Sequence, residues 1–559
     1  MAPVLTSRLT HEVVNQAPPL TGHDVAGDEA LLTAVTAYGA DWVVPELHEL
    51  GLLAGSAETA ELARLANVHS PVLRTHDRFG HRIDEVEFHP AWHQLMRTAV
   101  SHGLHAAPWA SSLPGAHVGR AAKFFVWTQA EAGHGCPISM TYSVVPALRH
   151  APDLAGSYEP LLTSLTYEPG LRLGKAGQLA GMAMTEKQGG SDVRANTTMA
   201  EPAGDGSYLV TGHKWFCSAP MCDLFLILAQ TGEGLSCFLL PRVLPDGSLN
   251  AMRLQRLKDK LGNRSNASAE VEYDQAVAWP VGELGRGVPT IIEMVSSTRL
   301  DCVLGSAASI RQACVEAAHH ASHRKAFGAL LADQPAMTAV LADLALESEA
   351  ATTLTIRLAS AADLAARGDE AQAALLRVVL PAAKHWVCKR TPAVIGEALE
   401  CLGGNGFIEE SVMPRLYRDA PLNSIWEGSG NVTALDLLRA IARSPGSLDA
   451  LRTELSLSAG ADRRLDRAID RLWTELGEIA RDSQAAAQSQ ARRLAGLLTI
   501  VTQAALLCRH APAEVSDAFC ASRLDDAGGL AGPGLSFGML PRGLDLAPVL
   551  DRARPAGTG

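Results

Sequence analysis

The sequence predicts a multidomain α+β protein: a helical N-terminal region, a small β domain, a helical bundle and a further helical tail. Three observations lead there. Apolar residues recur at helical spacing through most of residues 29–180. Between 181 and 282 they give way to short alternating or wholly apolar runs separated by Gly, Asp, Pro and Asn. From about Val288 the helical period returns and carries on into the tail. With 559 residues and 47% hydrophobic content, the chain has material for three or four packed units.

Residues 1–28 read as an extended arm, because Pro18-Pro19, Gly22 and Gly27 discourage regular structure. In the helical domain, 29–180, Ala30, Leu31, Ala34, Val35 and Tyr38 share one face, and Leu50 to Leu65 and Trp92 to His102 behave alike. His102, His105, His117, His134 and His150 are too dispersed for a metal site, and no metal is expected. In the β domain, 181–282, the strand candidates are Ser207 to Val210, Leu224 to Leu228, Ser236 to Leu240 and Ala269 to Tyr273. In the bundle, 283–443, Ile310, Ala313, Cys314, Ala317, Ala318 and Ala321 form a stripe that a neighbouring helix would bury. In the C-terminal extension, 444–559, Leu465, Ile469, Leu472, Trp473, Leu476 and Ile479 make one face, with Arg463, Arg464, Arg467 and Arg471 largely turned away from it. Asp466 and Asp470 are spaced to pair with Arg463 and Arg467. After Gly528 the chain is rich in Gly and Pro, and its last ten residues are expected to be loose.

A net charge of −12 gives no overall attraction to nucleic acid or to an anionic membrane. Ten cysteines without paired CxxC units read as reduced thiols of a cytoplasmic protein. Residues 1–19 have no apolar core for a signal peptide. The most apolar segment, Leu494 to Leu507, is too short to span a bilayer and reads as a buried helix, so no membrane partner is expected.

The chemistry is expected at Asn423-Ser424-Ile425-Trp426-Glu427-Gly428-Ser429-Gly430-Asn431, between two helical segments. A carboxylate beside a large ring is shielded from water, which raises its pKa toward a useful base range, and the glycines admit close approach of a ligand. A helix–helix turn with a solvated Glu is the plain alternative. Gln188-Gly189-Gly190-Ser191 offers closely spaced amides and a hydroxyl for phosphate, or is simply a β-turn. No GxGxxG follows a strand, so a Rossmann site is unsupported.

Four motifs in order, Met184 to Asp192, Gly212 to Ser218, Cys401 to Phe407 and Ile425 to Gly428, resemble the acyl-CoA dehydrogenase superfamily of flavoproteins. Thr185 to Ser191, Leu257 to Ser268 and Asn423 to Asn431 look like its AidB-type, alkylation-response branch. The likeness runs from about His11 to about Arg481. It implies an N-terminal helical domain, a small antiparallel β-barrel domain, a four-helix-bundle domain and an extra C-terminal helical domain.

The resemblance further implies FAD. Met182, Met184 and Thr185 would lie by the cofactor, the latter two at the flavin's pyrimidine edge. Phe216 and Ser218 would sit beside the ring, and Cys217 between them would point away in a strand while its main chain touches the cofactor. Asn423, Ser424, Ile425, Trp426, Gly428, Ser429, Gly430 and Asn431 complete the near side. Arg324, Phe327 and Gln334 resemble the loop that reaches another subunit's FAD, and Gly403-Gly404 the turn at its adenosine half. A homotetramer is implied by analogy. Glu427 occupies the family's commonest base position for α,β-dehydrogenation of an acyl-CoA-like substrate. Some relatives place the base on the helix before an Arg, but here that pair is Thr298-Arg299; Arg299 would balance the charge of Glu427 or cap its own helix. The electron acceptor stays open. AidB-type proteins also bind double-stranded DNA, which by resemblance would engage Arg463, Arg467 and Arg471.

Overall fold

The N-terminal helices begin where the sequence supplies a cap. Before α1 (Glu29–Ala37), the Asp28 carboxylate accepts from the Ala30 amide at 3.0 Å. After α2 (Val44–Ala54), Ser56 accepts from the Thr59 amide and opens α3 (Ala57–Val68). The computed structural model describes residues 10–444, 446–524 and 537–556, so residues 1–9 of the expected arm and the Gly/Pro-rich stretch to Ser536 lie outside it, as do the last three residues.

A hairpin that the helical pattern did not announce interrupts this region: β1 (Val72–His76) pairs antiparallel with β2 (Arg82–Glu87). Its turn chemistry is local. The Asp77 carboxylate accepts from the amides of Phe79 at 2.8 Å and His81 at 2.9 Å. Four helices follow: α4 (Pro90–Ser101), α5 (Ala116–Ala130), α6 (Gly135–Leu148) and α7 (Pro152–Leu162). Helices α5 and α6 are buried on almost every side.

The β domain holds β3 (Ala180–Ala183), β4 (Met199–Pro202), β5 (Tyr208–Ser218), β6 (Leu224–Thr231), β7 (Gly234–Pro241), β8 (Met252–Leu257) and β9 (Ser268–Pro280). Strand order is β3-β6-β4-β5-β9-β7, and an added β6–β7 pairing closes the ring into a small barrel. The barrel is mixed where an antiparallel one was expected, because β6 runs parallel to both β3 and β4. Entering from the helical domain, β3 lies beside β6 and leaves by a connection long enough to reverse direction.

The bundle is α8 (Gly287–His323), α9 (Pro335–Ala366), α10 (Glu370–Cys401) and, after short α11 (Gly404–Phe407) and α12 (Met413–Asp419), α13 (Gly430–Arg443). A small hairpin of β10 (Lys325–Ala326) and β11 (Ala329–Leu330) joins α8 to α9. Helix α8 packs against α5, α6, α9 and α10 and so carries both helical regions. Across that seam the Arg120 guanidinium grips Asp301 in a buried, two-pronged ion pair, with Nη2 at 2.8 Å from Oδ2.

The tail adds α14 (Gly446–Ser456), α15 (Arg463–Ile479), α16 (Gln484–His510), α17 (Ala513–Arg523) and α18 (Ala547–Ala553). Helix α16 packs on α9, α10 and α13, and its segment Leu494–Leu507 is buried as expected. Helix α15 buries Leu465, Ala468, Leu472 and Leu476 on one face. Asp466 does not pair with Arg463; it folds back to accept from the Gly460 amide at 3.0 Å. The two ends of the described chain meet in a bridge between Asp24 and Ala556. All ten cysteines are free thiols, nine of them buried.

Replacing Arg120 with Leu strands the Asp301 carboxylate in the core. The expected loss is about 3–5 kcal/mol of stability, read as a lower thermal unfolding midpoint, with Asp301→Asn in the same background recovering part of it.

Candidate active site

The turn between α12 and α13 is held by its carbonyl oxygens. The buried Lys384 of α10 donates from Nζ to the carbonyls of Trp426 at 2.7 Å and Gly428 at 2.5 Å. Arg299 of α8 donates from Nε to the carbonyl between them, that of Glu427, at 2.9 Å. Three successive carbonyls thus face inward to two cations. The backbone complies by placing Glu427 at φ 56° and Gly428 at φ 100°. The left-handed conformation at a non-glycine costs about 1–3 kcal/mol and persists only where surrounding bonds dictate it.

The Glu427 carboxylate accepts from Thr298 Oγ1 at 2.6 Å. Burial pushes its pKa above the usual carboxylate range, outweighing the Thr298 hydrogen bond and the charges of Lys384 and Arg299, which act the other way. The rise expected from shielding is present. Of the two roles expected of Arg299, the cap is contradicted, because the residue sits within the helix; its charge does act on Glu427, while its ion pair is with Asp436 of α13 at 2.8 Å. Arg377 pairs with the same Asp436 at 2.9 Å. Arg299 therefore fixes the turn, and its charge on Glu427 is a lesser effect. No local pattern marks Lys384, since an isolated Lys within a helix looks like any solvated one.

The flanking residues are bound in as well. Trp426 Nε1 donates to Asn423 Oδ1 at 2.9 Å, and Asn423 Nδ2 donates to Ser306 Oγ at 3.2 Å. Ser424 Oγ donates to the Pro421 carbonyl. Ile425 is exposed. Ser429 precedes α13, the Gly430 carbonyl lies 3.0 Å from His385 Nδ1, and Asn431 Oδ1 accepts from Arg492 of α16 at 2.7 Å. A Cβ on Gly430 would lie 2.5 Å from Lys389 Cε, so a side chain there would displace the end of that lysine.

The second wall is the barrel edge. Met182 is buried in β3; the Met184 carbonyl accepts from Asn196, and the Thr185 carbonyl from the Trp215 amide at 2.8 Å. Gln188 turns its amide inward to Asn196 and to the Asp192 carbonyl, leaving Gly189-Gly190-Ser191 as a loop at the surface. A Cβ on Gly190 would lie 2.4 Å from Thr185 Oγ1. Within this motif Glu186 is fully buried and ion-paired to Lys214 of β5 at 2.8 Å, a fastening the sequence reading passed over. A bulge in β5 falls between Lys214 and Cys217. Within it Phe216 is 51% exposed; after it Cys217 is buried as expected, and Ser218 Oγ lies 3.4 Å from Ser268 Oγ.

Cys136, at the start of α6, joins the two walls. Its thiol lies near Ser218 and Asn266 and within reach of the Glu427 charge, and burial lifts its pKa to about 11. Nearby, Lys260 donates to the Asn266 carbonyl at 2.6 Å, and burial brings it down to about 8. The Asn266 side-chain amide is buried with neither end satisfied by protein.

Other expected site residues stand apart. Arg324 donates to the Asn15 carbonyl at 2.6 Å, Gln334 to the Ala326 carbonyl at 2.8 Å, and Phe327 is fully exposed at the tip of the β10–β11 hairpin. Arg299 and Arg324 lie on one helix, separated by roughly 38 Å along its axis at the usual helical rise. Gly403 (φ 59°) and Gly404 are at the far end of α10. Arg463 and Arg467 are exposed on α15, and Arg471 is half-buried there.

Family models account for most of the chain: the adaptive response protein AidB N-terminal domain over residues 15–169, the acyl-CoA dehydrogenase middle domain over 181–276 and the acyl-CoA dehydrogenase C-terminal domain over 285–442. The putative acyl-CoA dehydrogenase AidB of Escherichia coli (strain K12) is 45% identical over 93% of this chain and 96% of its own length. The chain belongs to the acyl-CoA dehydrogenase family, in its AidB-type branch. Acyl-CoA dehydrogenase family member 11 of Caenorhabditis elegans is 29% identical over 84% of this chain and 80% of its own. The crystal structure of Caenorhabditis elegans ACDH-11 in complex with C11-CoA matches with a TM-score of 0.83 at 26% identity, over 93% of this chain and 95% of that one.

The family uses FAD, and the protein is an FAD-dependent oxidoreductase of the acyl-CoA dehydrogenase type. Its residues fit that cofactor. The barrel edge offers a half-exposed aromatic face at Phe216, a hydroxyl at Ser218, an orphaned amide at Asn266 and open space at Gly189.

A Lys384→Met change releases two of the three captured carbonyls and removes a cation near Glu427. Stability is expected to fall by about 1–3 kcal/mol. The Glu427 carboxyl should titrate at still higher pH, measured by difference infrared spectroscopy against Glu427→Gln, and Lys384→Arg should recover part of both effects.

Proposed function

We propose that this protein oxidises an acyl thioester between its α and β carbons, with Glu427 as the base. The observation that carries this is the Glu427 turn: a strained backbone, three captured carbonyls and a shielded carboxylate, assembled beside the barrel edge. In the reaction the C–H pair at the α carbon supplies the new double bond, and its proton goes to Glu427. FAD, when bound, accepts the hydride that leaves the β carbon. Thr298 orients the carboxylate, and the raised pKa makes the conjugate acid stable enough to form. The similarity to a protein crystallised with C11-CoA supports a thioester of a medium-length acyl chain as the substrate class.

Glu427→Gln keeps the size and the turn but removes the base. The yellow cofactor should stay bound while anaerobic bleaching by acyl thioesters is lost; bleaching at the wild-type rate would reject the assignment. A base works only when ionised. The wild-type bleaching rate should therefore fall on acidification at a pH above that of an ordinary carboxylate, with a single-proton slope.

A second reading keeps duplex DNA as a partner of α15. It is supported by the exposure of Arg463 and by the turn of Asp466 toward Gly460, away from that arginine; the net charge of −12 weighs against it. Salt-dependent duplex binding should weaken on joint neutralisation of Arg463, Arg467 and Arg471, and binding unchanged by that triple substitution removes this face from consideration.

A further inference from the structure

We propose a second ligand site, for a small hydroxylated organic anion, in a cleft of about 630 Å³ lined by the N-terminal arm, α3, α8, α12 and the C-terminal Pro555–Ala556. Neither Glu427 nor any barrel-edge residue of the candidate active site lines it.

The argument starts from unsatisfied polar groups. Buried donors and acceptors in proteins nearly always find partners, so each exception calls for an explanation. Four cluster on this one cleft. Gln312 Oε1 and His23 Nδ1 are buried without a hydrogen-bond partner. Glu316, one helical turn beyond Gln312 on the same face of α8, makes no side-chain hydrogen bond or ion pair among the described residues. Burial lifts its carboxyl to about 7, with the charge of Arg415 opposing. Arg415 of α12 gives one N–H to the Ala130 carbonyl at 2.9 Å and has no carboxylate within salt-bridge distance among the described residues. A guanidinium has five N–H donors, so most of its capacity is unused.

The chemistry of these groups specifies the ligand. Arg415 calls for an anionic oxygen, carboxylate or phosphate. Gln312 Oε1 can only accept, so the ligand must donate, as a hydroxyl does. Glu316 titrates near neutrality and meets either a donor or an acceptor. Val25, Ala60, Val68, Val315 and Val412 supply an apolar side for a short carbon body. Water alone would meet the neutral groups but would give the Arg415 guanidinium no anionic oxygen in hydrogen-bonding contact; the carboxyls of Glu131, Glu316 and Asp419 reach it only through longer-range charge. The arm bounds the cleft on one side: the Gly22 amide donates to the Gly55 carbonyl at 2.7 Å, and Asp24 bridges to Ala556.

The test is calorimetric titration of the full-length protein with glycerol 3-phosphate and 3-hydroxybutyrate, which separate the phosphate and carboxylate forms. Glycerol and butyrate serve as probes lacking the anion or the hydroxyl. At least one hydroxylated anion should bind, with glycerol and butyrate weaker by about tenfold or more. Arg415→Gln and Gln312→Leu should each weaken that anion about tenfold, while Glu427→Gln leaves it unchanged. Gln312→Leu removes only an unpaired acceptor, so it is expected to fold, checked by circular dichroism and flavin absorbance, and it decides the matter should Arg415→Gln unfold. Three results would overturn the proposal: no binding of either anion up to about 10 mM, binding that Gln312→Leu leaves intact, or binding lost in Glu427→Gln.

Discussion

Two cations on two bundle helices capture three consecutive carbonyls, and the candidate active site depends on that capture. Carbonyls of a short turn ordinarily point to different partners or to water. Here Lys384 and Arg299 converge on them, and the backbone at Glu427 takes the left-handed form at an energetic cost. The bundle in turn has to keep both cations in place. Arg299 does so through Asp436, which also binds Arg377. Helices α8, α10 and α13 are thereby tied to a turn of a few residues, so rigidity in the bundle becomes precision at one carboxylate.

The same arrangement sets the electrostatics. Glu427 sits close to two cations, yet burial wins and its carboxyl titrates high. The cations spend their hydrogen bonds on backbone oxygens and on Asp436, so neither grips the carboxylate itself. Among the described residues only Thr298 does, through a neutral hydroxyl. A direct ion pair would have stabilised the charged form and weakened the base; a hydroxyl fixes its direction with a smaller effect on basicity.

Helix α8 organises the molecule at several levels. Near its first third it carries Asp301, which locks α5, and Thr298 and Arg299, which set the turn. Further along, Gln312 and Glu316 face the cleft under the N-terminal arm. At its end Arg324 meets that arm at Asn15. These places share one rigid axis and lie too far apart to belong to a single small-molecule site in one chain.

Much of this was legible in the sequence. Helical periodicity located the bundle and the buried face of α15, alternation located the barrel strands, and the shielding of Glu427 followed from its neighbours. The β1–β2 hairpin was missed because its turn signal, Asp77 to Gly80, was outweighed by helical patterns on either side. The parallel partners of β6 were missed because periodicity reports which face is buried and carries no information on strand direction. Lys384, Cys136 and Asn266 were invisible for a common reason: each matters through a partner distant in the chain or through burial that no local pattern encodes. The sequence alone determined the order of structural classes, the family and which carboxylate is the candidate base. Only tertiary packing decided that carboxylate's backbone conformation and its hydrogen-bond donor, because both are set by groups on α8 and α10 that become neighbours of the turn when the bundle closes.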